Sequence, residues 1–290
     1  MPVKPWLSID EQVQLLQNRG LVVDDLSACR ATLKRVGYYH LSGYARFFQV
    51  DPTNGDNSFL DAKFKDIAEL QVLDSRLRNL CLGALAEVEQ VLRTGFAYRF
   101  AEQSPIAGAL WDSNSFTATG PKAIRVDALV LEDLDKAKQP FIVRHRVATE
   151  YPKLPVWVAV EALSFGTLSK AIQYCANSNI RNTLANDLNV AQQGFSSQVR
   201  AFVTLRNACA HNNRLWNDVA RSQASVPNNI LNRAKKRVGK FSPQSNYQVL
   251  VALNQFLDSS NLGEAFMKQV DALLEGNPRF RAGIHHPKPN

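Results

Sequence analysis

The sequence predicts an all-α fold, a helical bundle with long central helices and further helices at both ends. Three observations predict it. From Phe64 onward Ile67, Leu70, Leu73, Leu77, Leu80, Ala84, Val88, Val91 and Gly95 recur at three- and four-residue steps, the pattern of one helix approaching ~40 residues. Shorter amphipathic segments with cap residues flank it, and no run alternates apolar and polar residues as a half-buried strand would. Apolar residues make up 45% of the 290, an ordinary globular share that lets a good core form.

The first helix is expected over Ser8 to Arg19, with Ser8 as N-cap, Glu11 three residues on and Gly20 as the stop. A second runs from a Ser27 cap to Val36 and closes at Gly37, and Tyr38 to Tyr44 adds an aromatic turn. Residues 51–58 read as a loop by composition. A helix as long as the one from Phe64 needs partners along its length, which makes it the mast of the bundle. Residues 104–120 are irregular and 121–150 helical again. Helices then pass through Trp157 and Leu168, and a long one runs from about Ser196 to Trp216. Asn246 to Glu275 supplies one or two more, and the tail from Pro278 is expected to be loose. The implied division is an N-terminal helical segment at 1–60, a core at 61–222 and a basic C-terminal extension with a tail at 223–290.

The net charge of +8 fits an anionic partner such as nucleic acid, and equally a basic solvated surface. Cys29, Cys81, Cys175 and Cys209 stand far apart without a C-x-x-C pair, so they are expected to be buried, reduced thiols, with no metal site and no cofactor implied. No apolar segment follows the first residues as in a signal peptide, and no run of about 18 apolar residues occurs, so a cytoplasmic chain without a membrane partner is expected.

The candidate chemistry lies in Leu205-Arg206-Asn207-Ala208-Cys209-Ala210-His211. On a continuous helix Asn207, His211 and Arg214 share one face, and Arg206, ~100° from Asn207, can swing its long side chain over. Histidine moves protons near neutral pH, and an arginine fork binds phosphate and stabilises charge growing on it. RNA brings its own nucleophile in the 2′-OH. The spacing itself is weak, because Arg35/His40 and Arg281/His286 repeat it. The first of those pairs fits local packing and the second an accident of the tail. On the residues alone, a catalytic pair and a satisfied polar network inside a bundle both stay open.

The wider context resembles the Abi family of bacterial abortive-infection proteins, the AbiD/AbiF-like group. The stretch from Leu205 through Asn217 carries the resemblance together with Lys4-Pro5, Ser8, Gln12, Leu15-Leu16 and Arg19-Gly20. Tyr38 to Tyr44, Asp74 with Leu77-Arg78, Glu87 and Glu89 with Leu92-Arg93-Thr94, and Ser164-Phe165-Gly166 complete it, so that it spans about residues 4–220. That family is similar to the HEPN superfamily, which implies a HEPN-type bundle and a homodimer whose paired helices form one metal-independent endoribonuclease site. It also implies cleavage by 2′-OH attack, a role in phage defence or toxin–antitoxin behaviour, and a companion non-coding RNA. Carried over, Arg206 and His211 are the catalytic pair and Asn207 orients the histidine or contacts phosphate. Arg214 is a supporting phosphate ligand or a surface arginine. Glu87 and Arg93 brace the site or pair within the bundle, with RNA contact a further role for Arg93. Trp216 and the tyrosines are expected to pack, with stacking on RNA bases the other reading. The basic run Arg233, Lys235, Lys236, Arg237 and Lys240 is a solvated helix face or an RNA-backbone contact. Two other readings remain: a module that holds structured RNA without cutting it, and an interaction protein in which this helix is only a dimer seam.

Overall fold

One unbroken helix, α4 (Phe64–Gln103), runs the length of the computed structural model, which describes residues 5–105, 108–117, 125–148, 150–263 and 265–288. It shows no interruption at Gly83. Lys4, residues 118–124 and the last two residues, on which parts of the sequence reading fell, lie outside the described residues.

Before α4 come α1 (Ile9–Asn18), α2 (Leu26–Val36), α3 (Tyr38–Ala45) and a short antiparallel pair, β1 (Gln49–Asp51) with β2 (Asp56–Phe59). Ser8 and Glu11 cap α1 reciprocally, the Glu11 amide donating to Ser8 Oγ at 3.3 Å and the Ser8 amide to Glu11 Oε2 at 2.7 Å. The cap of α2 is Asp25, not Ser27: its carboxylate accepts from the Ala28 amide at 2.8 Å. The hairpin replaces the loop expected at 51–58. Asp51 accepts from the Asn54 amide and side chain at its turn, and Asn-Gly is a pair that favours tight hairpins.

After α4 the helical stretch expected over 121–150 divides into α5 (Val126–Lys136) and α6 (Pro140–Val143), with Pro140 opening the second piece. Then follow α7 (Val156–Ala159), α8 (Phe165–Tyr174), α9 (Ser178–Asp187) and α10 (Phe195–Ala210), and last α11 (Asn228–Val238), α12 (Asn246–Ser259), α13 (Phe266–Glu275) and α14 (Pro278–His285). The result is an all-α bundle. α4 packs against α3, α7, α9, α10 and α13, and α10 lies between α4, α8 and α12. Gly95 lets α9 approach, since a Cβ there would stand 2.6 Å from Leu184 Cδ1.

The tail is not loose. α14 buries Phe280, Ile284 and His285, and Gly283 meets Trp216 so closely that a Cβ would lie 2.2 Å from the indole nitrogen. No helix among the described residues is long and apolar enough to cross a membrane. All four cysteines are free and buried. Burial pushes the Cys29 and Cys175 thiols up to about 11, and a hydrogen bond with Cys209 together with burial raises the Cys81 thiol.

Candidate functional site at the end of α10

α10 ends at Ala210, six residues earlier than its apolar stripe suggests. His211 is the C-cap, Asn212 adopts the left-handed conformation at φ +54°, and the Asn212 and Asn213 amides return to the carbonyls of Cys209 at 3.1 Å and Ala208 at 2.8 Å. This double return is the Schellman motif, and asparagine tolerates its left-handed position better than most residues. The face expected to join Asn207, His211 and Arg214 is therefore not formed: Asn207 and His211 remain one turn apart, whereas Arg214 lies in the loop beyond.

Arg206 does swing over Asn207, donating to its Oδ1 at 3.0 Å. Its other nitrogen donates to Glu89 Oε2 at 3.0 Å, and its guanidinium lies 5.7 Å from the Phe165 ring centre. Glu89 is shared: its Oε1 accepts from Arg93 at 2.8 Å. Arg93, almost fully buried, also donates to the carbonyls of Val160 and Leu163, which fixes the segment leading into α8. The acid that braces this site is thus Glu89. Glu87 is exposed on α4, and the ion pair considered for it with Arg93 is made by Glu89 one turn before Arg93.

His211 is exposed and Asn207 half-buried. Among the described residues no carboxylate pairs with the imidazole, and the Asn207 amide NH2 donates to no protein group. An exposed imidazole thus stands one helical turn from a hydrogen-bonded arginine–asparagine pair.

The loop after α10 is anchored from beneath by Asp74, whose side chain is fully buried. Its carboxylate accepts from Tyr44 Oη at 2.6 Å, Arg78 at 2.7 Å and the amides of Leu215 and Trp216, both at 3.1 Å. Burial raises its pKa, while Arg78, Tyr44 and the two amides favour the ionised form. Sequence reasoning marked Asp74 only as part of a resemblance, because its partners lie in two distant segments. Trp216 is core: it stacks on Tyr44 and donates to the Arg279 carbonyl at 3.2 Å. Arg214 donates to the Gly43 carbonyl and covers the Phe47 ring at 4.6 Å, while burial lowers its pKa. In the tyrosine cluster Tyr44 is buried, Tyr38 accepts from Arg19 at 3.0 Å, and Tyr39 projects into solvent, 91% exposed.

The basic run is divided. Arg237 pairs with Asp271 at 3.1 Å and donates to Tyr247 Oη at 3.2 Å. Arg233, Lys235, Lys236 and Lys240 are exposed on or just after α11, and Lys235 and Lys236 sit in its last turn, where positive charge is favoured. Among the described residues no group of three His, Cys, Asp or Glu side chains gathers as metal ligands.

Neither a curated protein nor a solved structure matches the chain. The family model of the Abi-like proteins matches residues 31–217, from the middle of α2 to the anchored loop after α10. That stretch covers most of the chain and contains Tyr44, Asp74, Glu89, Arg93, Arg206 and His211 together, and the chain belongs to the Abi-like protein family.

Proposed function

We propose that this protein is an endoribonuclease of a bacterial phage-defence system, working as a homodimer in abortive infection or as the toxin of a toxin–antitoxin pair. Membership of the Abi-like family suggests abortive-infection phage defence. The cleavage reading rests on one observation: exposed His211 stands one turn from Asn207, which accepts from Arg206, itself held by Glu89. The resemblance to HEPN proteins supports the same pairing of Arg206 with His211.

The chemistry follows from these groups. The RNA 2′-OH attacks the adjacent phosphorus, its proton passing to an imidazole. The new O2′–P bond forms as the P–O5′ bond breaks, and O5′ leaves with a proton from an acid. Two His211 side chains in a dimer divide the two proton transfers. Arg206 and Asn207 donate to the non-bridging oxygens as charge grows there. The products are a 2′,3′-cyclic phosphate and a 5′-OH, and the route calls on no metal because substrate and side chains supply nucleophile, base and acid.

The test is cleavage of RNA by the purified full chain, with terminal-group analysis. His211→Ala and Arg206→Ala are expected to cut at least about 100-fold more slowly; His211→Ala keeps wild-type melting, and Arg206→Ala, which loses the Glu89 ion pair, stays folded at a cost of about 1 kcal/mol. Wild-type rates in both variants would end the reading. The exposed cations of α11 favour one other function, the holding of a structured non-coding RNA without cleavage. Salt-sensitive binding with no cyclic-phosphate product from any RNA would select it.

A further inference from the structure

Arg35 and His40, which repeat the Arg-x4-His spacing, line an open cleft of about 480 Å³ bounded by the end of α2, by α3 and by the first half of α4. Ser75, Arg76 and Arg78 of α4 line it too, and so does Asn212, the residue directly after His211. The cleft therefore opens beside the end of α10.

Its charge is one-sided. Arg78 is neutralised by Asp74, whose carboxylate is sealed by four donors. Arg35 and Arg76 are exposed and make no ion pair among the described residues. The carboxylates of Asp24, Asp25 and Glu69 line the adjoining groove along α4, which Arg35 and Arg76 also border, and none of the three lines this cleft. His40 is held below its usual pKa by burial and by the charges of Arg78 and Arg214, so at neutral pH it offers one ring nitrogen as donor and one as acceptor. Two guanidiniums with no ion pair among the described residues, a hydroxyl, an imidazole and an amide around one cleft match the repeating phosphate and sugar of a single strand.

We propose that this cleft binds the phosphodiester backbone of the RNA strand flanking the scissile position, with Arg35 and Arg76 as phosphate ligands and His40, Ser75 and Asn212 as hydrogen-bonding partners. The assignment rests on RNA being the substrate of the neighbouring site.

The test is fluorescence anisotropy of the full-length protein with a short, labelled, fully 2′-O-methylated RNA, which cannot be cut, over a range of salt. The Arg35→Ala/Arg76→Ala double variant is expected to bind at least about tenfold more weakly, and its slope of log K against log salt to be shallower by about 1.4, two single-strand phosphate contacts. Arg35→Lys/Arg76→Lys keeps most of the slope. Both positions are exposed, so melting is expected to be unchanged. An unchanged slope or unchanged affinity in the Ala variant overturns the proposal, and so does failure of the wild type to bind the strand. Failure of the cleavage reading has a separate sign, the absence of cyclic-phosphate products from ordinary RNA, and leaves the binding result standing.

Discussion

Arg206 of α10 and Glu89 of α4 form a 3.0 Å ion pair that ties the candidate catalytic helix to the mast of the bundle. Glu89 also holds Arg93, so its removal takes from both arginines the one carboxylate each meets among the described residues. Glu89→Gln keeps the shape and loses the charge. It is expected to cost about 1–2 kcal/mol of stability and to lower RNA cleavage about tenfold or more by letting Arg206 drift from Asn207. Chemical denaturation and a cleavage time course check the two effects. Wild-type cleavage by Glu89→Gln would show that the tether does not position Arg206.

Asp74 supports the same site from a different direction. It is fully buried and accepts from Tyr44, Arg78 and two amides of the loop after α10. Asp74→Ala leaves Arg78 buried without its counter-charge and two amides without an acceptor, so a loss of about 3–5 kcal/mol is expected. Tyr44→Phe removes one donor and is expected to cost about 1–2 kcal/mol. Urea unfolding of both variants measures the ranking, and a Tyr44→Phe loss as large as that of Asp74→Ala would contradict it.

Which features could be read from the sequence follows from how local their causes are. The mast helix, the Ser8–Glu11 cap and the reach of Arg206 to Asn207 depend on residues within a turn or two, and each is found as the spacing predicts. The end of α10 was hidden because Leu215 and Trp216 continue the apolar stripe. Their burial comes from Asp74 and α14, not from a continuing helix. The legible signal was Asn212, a residue type suited to the left-handed position that ends a helix. The choice between Glu87 and Glu89 depends on which face of α4 meets α10, a tertiary fact. The hairpin at 49–59 carried its own local sign in Asn54-Gly55, overlooked because its strands are too short to alternate.

The left-handed Asn212 yields a test of the helix end. Asn212→Gly is expected to be neutral or slightly stabilising, whereas Asn212→Val places a β-branched side chain at φ +54° and is expected to cost roughly 1–2 kcal/mol. Because His211 is the cap residue just before it, Asn212→Val should also slow cleavage. Equal melting of the Gly and Val variants would argue that the chain does not turn here.

Gly283 and Trp216 are in such close contact that the tail reports on the loop. Any Cβ at position 283 would stand 2.2 Å from Trp216 Nε1. Gly283→Ala must push α14 off the indole or turn the ring, at an expected cost of about 1–3 kcal/mol. The indole also loses its 3.2 Å hydrogen bond to the Arg279 carbonyl if α14 retreats. Near-ultraviolet circular dichroism of the tryptophan band, read beside the melting temperature, registers both changes. An unaltered spectrum with wild-type stability would refute the docking of α14.

His285 gives the fold a predictable response to acid. It is buried among Phe241 and Tyr247, its Nε2 meets no hydrogen-bond partner among the described residues, and burial, then Arg281 and His286, lowers its pKa from the usual 6.5 to about 4. Above pH 6.5 the ring is neutral in both folded and unfolded chains, and its stabilising effect is complete. Between 6.5 and 4 the unfolded chain takes up a proton that the folded chain refuses, so stability falls as pH falls. Below about 4 both states are protonated and this contribution is exhausted, after a total loss on the order of 3 kcal/mol. His285→Phe keeps an aromatic ring against Tyr247 and cannot titrate, so its urea midpoint should decline less than that of the wild type between pH 7 and 4.5. Parallel declines in the two proteins would mean that other groups carry the acid sensitivity.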